Sequence, residues 1–146
     1  MLTTTKSSKA DKADLIGGVA LFAGLNRREV ARVASLVDEL EVPAGHVLCT
    51  EGSPGSEFFV IATGRAEATL RGDHLAYLGP GAFFGEMSLL DHGPRSATVT
   101  AVTPLHLLVL DARAFLGLVS EHPGVARKVM RGLAERLRES ESAPTH

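Results

Sequence analysis

Between Pro43 and Asp111 turn-forming residues cut the chain at nearly regular intervals, and no other feature restricts its fold so much. Gly45, Gly52, Gly55, Gly64, Gly72, Gly79, Gly81, Gly85 and Gly93 fall in this stretch, nine of the chain's 15 glycines. Between them stand short runs of β-prone residues at 46–50, 58–62, 66–70, 74–78, 98–102 and 106–110. Short strands with even Gly and Pro punctuation build a sandwich or a barrel.

Helical patterns flank this stretch. Asn26 followed by Glu29 is a capping-box arrangement, with Leu25 and Val30 placed as a hydrophobic staple. Val30, Val33, Ala34 and Val37 then repeat at i, i+3, i+4, i+7, which predicts a helix with one buried face. Asp111 is placed to cap a second helical region over 112–120, and Pro123 opens a third at the first-turn position that proline tolerates. In that last helix Ala126, Met130, Leu133 and Leu137 form a heptad-like stripe, which packs either on the barrel or on a second copy of the chain as a homodimer. A length of 146 residues suits one domain. The expected organisation is polar tails at 1–13 and 142–146 around one folded unit at 14–141. Within it, a helical segment at 14–40 leads into a barrel at 41–111 and C-terminal helices at 112–141.

The formal net charge of −2 conceals an asymmetry. From Asp38 to Asp111 three basic residues, Arg65, Arg71 and Arg95, stand against ten acidic ones, a net of −7, while the flanks carry +5. So acidic a centre repels a nucleic-acid backbone, and one Tyr, six Phe and no Trp offer little for bases to stack on, so no direct nucleic-acid partner is expected. Arg65 and Arg71 stand at the ends of hairpins, which leaves Arg95 as the local cation for any bound anion. Lys6, Lys9 and Lys12 before the apolar run 15–25 outline a signal peptide, but Asp11 and Asp14 lie against the run and an amphipathic helix follows it. No stretch approaches the ~18 apolar residues of a membrane span, so a cytoplasmic location without membrane contact is expected.

The chemistry concentrates in residues 83–99, FFGEMSLLDHGPRSATV. Gly85 permits close approach of the backbone to a ligand, and 87–90 suits a single helical turn with free amide hydrogens. Gly93-Pro94 turns the chain back, so that Arg95 returns to the same anion and Ser96 adds a hydroxyl. Arg95 can bind two phosphate oxygens through its planar fork, whereas Glu86, an acceptor only, suits a sugar hydroxyl. A ligand with one phosphate and one ribose matches both. A competing reading, a surface salt bridge between Glu86 and Arg95, explains neither Gly85 nor the Arg-Ser pair.

This run resembles the phosphate-binding cassette of the cyclic nucleotide-binding domain family. Leu21-Phe22-Ala23-Gly24-Leu25 is similar to the family's helical start, 51–55 (EGSPG) to its first barrel turn and 59–64 (FVIATG) to its hairpin strand. The resemblance spans about 14–141 and is to catabolite activator-like sensor domains. It implies a mainly β fold with flanking helices, a double-stranded β-helix or jelly-roll barrel. It also implies a ligand site in which Glu86 takes the ribose 2′-hydroxyl, Arg95 the phosphate oxygens, and Gly85, Met87, Ser88 and Ser96 the remaining contacts. None of these is a catalyst, so a stand-alone, non-enzymatic receptor is expected. It would signal to a separate effector protein by movement of its C-terminal helices. Ser96 after the arginine resembles the bacterial cyclic AMP pattern; cyclic GMP is the alternative ligand, and an interaction module that kept the fold without the ligand is the alternative class. Ser140, late in the last helix, is the candidate contact to the base.

The six histidines, His46, His74, His92, His106, His122 and His146, are scattered one to a turn or strand, without the paired spacing of a metal-binding cupin, so no metal and no catalytic cofactor are expected. The lone Cys49 excludes an intrachain disulfide framework and reads as an inert thiol. The basic residues of the last helix alternate with Glu135, Glu139 and Glu141, which marks a solvated face.

Overall fold

Two antiparallel sheets take up the turn-punctuated stretch. The computed structural model describes residues 3–4 and 9–142, with side chains over 11–138. One sheet orders β1 (Thr3–Thr4), β2 (Asp38–Val42), β9 (Leu105–Asp111), β4 (Glu57–Thr63) and β7 (Phe83–Phe84) side by side. The other orders β3 (Val47–Cys49), β8 (Thr98–Ala101), β5 (Ala66–Leu70) and β6 (Asp73–Leu78). The arrangement is a jelly roll of two facing sheets with helices on one outer side.

The layers follow from the pattern of apolar residues. Phe58, Phe59, Val60 and Ile61 of β4 are all buried, as are Leu107, Leu108, Val109 and Leu110 of β9. Both faces of these central strands are therefore covered, and a strand covered on both faces reads as a continuous apolar run. Phe59, Ile61, Phe84, Leu107 and Val109 face Cys49, Ala66, Val99 and Ala101 in the core between the sheets. Phe58, Val60, Leu108 and Leu110 meet the helices, among them Phe22, Val33, Phe115, Leu118 and Val129. Phe58 and Phe115 lie 4.5 Å apart between ring centroids, and Phe59 and Phe84 4.9 Å.

The local helix signals act where their residues stand. In α2 (Arg27–Leu36) the Asn26 side chain accepts from the Glu29 amide at 2.9 Å while Glu29 accepts from the Asn26 amide at 3.0 Å. In α4 (Ala112–Glu121) the Asp111 carboxylate accepts from the Ala114 amide at 2.8 Å. Two long side chains of α5 (Pro123–Ser142) reach back into the molecule, one of them Lys128, which donates to the carbonyls of Ala20 and Ala23 at 2.9 and 2.8 Å.

Three expectations need correction. The tail 1–13 is not wholly outside the fold: Thr3 and Thr4 pair with Glu41 and Leu40, and α1 begins at Lys9 and runs to Gly17. The helical segment expected to reach residue 40 ends at Leu36, because residues 38–42 align one for one with Val109 to Leu105 of β9. That pairing overrides the helix preference of Glu39, Leu40 and Glu41, and the buried Glu39 is held by His106 Nε2 at 2.8 Å. Finally, α5 packs on its own molecule through Val125 and Val129, 2% exposed each, so the heptad-like stripe splits. Met130 is 61% and Leu137 58% exposed, while Ala126 and Leu133 are half-buried.

Candidate ligand-binding site

The site is built on the loop that leaves β7. Gly85 sits at φ +95° as the N-cap of α3 (Glu86–Asp91), and His92, at φ +58°, ends that helix. The Gly93 amide donates to Asp91 Oδ1 at 2.8 Å and tightens the return. The chain then docks on the turn between β3 and β4: the Arg95 amide donates to Ser53 O at 2.8 Å, and the Gly52 amide donates to Arg95 O at 2.9 Å. Arg95 thus enters with its backbone fixed on both sides.

Arg95 is 7% exposed, and its guanidinium donates from Nη1 to Gly85 O at 3.0 Å and from Nη2 to Glu57 O at 2.9 Å. Two of five N–H donors are engaged in this way. The group lies 5.9 Å from the centre of the Phe59 ring. A Cβ on Gly55 would come within 2.0 Å of Arg95 Nε, so this glycine makes room for the guanidinium. In sequence Gly55 shows only as a turn residue, since nothing local relates it to a side chain forty residues away. Gly55 and Ser88 also line a groove of about 280 Å³ with Leu89, His92 and Leu116.

Glu86, fully buried, is not paired with Arg95. Its Oε1 accepts from Arg136 Nη1 of α5, and Arg136 Nη2 donates to Phe83 O. Among the described residues Glu86 Oε2 has no hydrogen-bond partner. In sequence Arg136 groups with the solvated cations of α5 and gives no sign of a contact with Glu86. Only its spacing marks it as inward-facing: Arg136 follows Val125 and Val129 by 11 and 7 residues, and so shares their buried face.

The remaining candidates lie close by. Ser88 is buried, and the exposed Ser96 hydroxyl donates to the thioether of half-buried Met87 at 3.7 Å. Ser140 falls within the backbone of α5, but its side chain lies outside the described residues. Of the other central arginines, Arg65 stacks over the Tyr77 ring at 3.8 Å, and Arg71 offers its backbone amide to the Glu51 carboxylate at 3.0 Å.

Three histidines are in carboxylate pairs: His74 with Glu67, His106 with Glu39, and His122 with Glu29, at 2.6, 2.8 and 3.2 Å. Among the described residues no group of three or more His, Cys, Asp or Glu is placed to hold a metal, and no helix is long and apolar enough to cross a membrane.

Burial pushes the Cys49 thiol up from 9.0 to about 11; Arg95 works against this shift, and the Glu57 and Glu86 carboxylates add to it. The neutral thiol is the unreactive form, so iodoacetamide at pH 8 is expected to leave Cys49 of the folded protein unmodified and to label it fully in denaturant. Rapid labelling of the folded protein would contradict this. Because the folded value is the higher one, the stabilisation that goes with it is complete below pH 9 and is lost as pH rises through about 11.

Comparison with known proteins agrees with this architecture. Residues 39–122, more than half of the chain, match the family described as the cyclic nucleotide-binding domain. The chain is 39% identical over 129 residues to the cyclic AMP receptor protein of Thermus thermophilus, covering 85% of this chain and 60% of that one. It is 38% identical over 122 residues to a cyclic nucleotide-gated potassium channel of Rhizobium etli, covering 84% of this chain and 34% of the channel. The crystal structure of the Thermus thermophilus catabolite activator protein superposes with a TM-score of 0.72 at 39% identity, over 83% of this chain and 59% of that one. The chain therefore spans at most about three fifths of these relatives. The family match, these identities and the shared jelly roll place the chain in the cyclic nucleotide-binding domain family.

Proposed function

We propose that the chain is a receptor domain for cyclic AMP, which works by binding and not by turnover. The observation that carries this reading is the presence on one short loop of two buried, oppositely charged groups, each with hydrogen-bonding capacity left over. Arg95 has donors beyond those spent on Gly85 and Glu57, and Glu86 has an oxygen without a partner among the described residues. A singly charged cyclic phosphate suits the first and a ribose hydroxyl the second. Gly85, Met87, Ser88 and Ser96 frame the same loop, and the surrounding barrel, at −7, leaves Arg95 as the local attraction for an anion.

Ser96 and the cyclic AMP-named relative favour cyclic AMP over cyclic GMP. The output is a shift of α4 and α5 passed to an effector protein, with the exposed Met130 and Leu137 available to a second copy of the chain. Effector and partner sites coupled in this way typically differ by ~1–3 kcal/mol. Ser140 remains the proposed contact to the base. Titration calorimetry with both nucleotides tests the reading: cyclic AMP is expected to bind the more tightly. Preference for cyclic GMP would replace the ligand, and absence of binding or thermal shift with either nucleotide would leave an interaction module that has kept only the fold.

A further inference from the structure

We propose that Arg136 makes this site prefer a ribose to a 2′-deoxyribose, by holding the Glu86 carboxylate in the orientation in which it accepts the sugar hydroxyl. The proposal rests on the ligand reading above and adds a residue from outside the loop.

A carboxylate removed from water is costly unless charge and hydrogen bonds compensate it. Glu86 is 0% exposed, and the compensating cation comes from α5, 50 residues along the chain. One oxygen is satisfied by that cation and the other has no partner among the described residues, so the carboxylate has room for one more donor. Which way it presents that oxygen depends on the grip on its neighbour. The grip is firm because the guanidinium is itself fixed: Nη2 donates to Phe83 O, three residues before Glu86, so Arg136 spans both ends of the 83–86 turn. Its guanidinium lies 5.3 Å from the centre of the Phe83 ring, which in turn packs on Phe58 at 5.6 Å.

One helical turn earlier, α5 passes Phe83 so closely that a Cβ on Gly132 would stand 2.5 Å from the ring's Cζ. Gly132 therefore lets the Phe83 ring lie directly against α5, one helical turn from Arg136. Once a sugar hydroxyl donates to Oε2, the same carboxylate carries the ligand and α5 together, so helix docking and ligand binding strengthen each other by the same factor.

The test is a calorimetric titration of the wild-type chain, Arg136→Ala and Arg136→Lys with cyclic AMP and with 2′-deoxy cyclic AMP. The wild type is expected to favour the ribose form about tenfold, ~1.4 kcal/mol. Arg136→Ala is expected to weaken cyclic AMP by about the same factor and to leave the deoxy ligand within about twofold, since that ligand makes no bond through Glu86. Arg136→Lys, which can reach Glu86 or the Phe83 carbonyl but lacks the fork to hold both, is expected to fall between them. It also keeps the test open should the alanine variant not fold. Equal losses for both ligands would show a purely structural role and overturn the proposal, as would an unchanged ratio in both variants. If Arg95→Ala also leaves cyclic AMP binding intact, the site reading itself has failed; if Arg95→Ala abolishes binding while the Arg136 variants keep the ratio, only the present inference has.

Discussion

Arg95→Ala is expected to abolish measurable cyclic AMP binding, a loss of at least about a hundredfold. Hydrogen bonds to a charged group contribute ~1.5–3 kcal/mol each, and a guanidinium fork on a phosphate makes two of them, so the expected loss is ~3–6 kcal/mol. The acidic centre, at −7, makes this a lower bound, because with Arg95 gone the phosphate meets net repulsion. The variant should also melt at a lower temperature. In the native protein the guanidinium satisfies Gly85 O and Glu57 O, and each carbonyl left buried without a donor costs ~1–3 kcal/mol. Arg95→Lys is expected to recover little, since an ammonium cannot reach both carbonyls and two phosphate oxygens with one planar group. Calorimetry with a parallel thermal melt separates the two effects. An alanine variant that stays folded and binds with unchanged affinity would remove Arg95 from the site.

The other large effect is expected at Gly85. Alanine there meets two penalties at once: φ is +95°, where an L-residue is strained by ~1–2 kcal/mol, and the added Cβ would lie 2.6 Å from Glu57 O and 2.8 Å from Arg95 Nη1. The carbonyl belongs to backbone in the central sheet and cannot swing aside, so the loop must move. Gly85→Ala is expected to cost ~2–4 kcal/mol of stability and to lose ligand binding, because the loop carries Glu86 and accepts from Arg95. Gly79→Ala is the control, with no heavy atom within 4 Å of its added Cβ and an expected change within ~0.5 kcal/mol. Urea denaturation of the two variants gives the comparison, and equal stability of both would contradict the geometric account.

Features that depend on neighbours in the chain were legible before the fold was known. The Asn26–Glu29 box spans three residues, as does the Asp111 cap on Ala114, and both form the bonds that their spacing suggests. The run 66–70 became β5 residue for residue, because Gly64 and Gly72 bound it on either side. The two-residue β7 escaped notice since Phe83 and Phe84 are too short a run to signal a strand; they pair because β4 lies beside them, Phe84 opposite Phe59.

At the site the division is sharper. Residues 85–96 declared their chemistry in sequence, as types suited to a phosphate and a sugar at the spacing of a single loop. How those side chains are held was not legible, because every holding contact is made by a distant residue. Glu57 and Gly55 come from the β3–β4 turn and strand to shape the seat of Arg95, and Arg136 comes from α5 to take Glu86.

The even turns between Pro43 and Asp111 established a short-stranded β fold, and the residue types of the Gly85–Ser96 loop pointed to a phosphate and a sugar, because turn preference and side-chain chemistry are properties of the local chain. Which strands pair, that Asp38–Val42 is a strand at all, and that Glu86 answers to Arg136 and not to Arg95 were settled only when sheet and helices closed on one another. A charge buried by tertiary packing must find its partner among whatever residues that packing brings within reach.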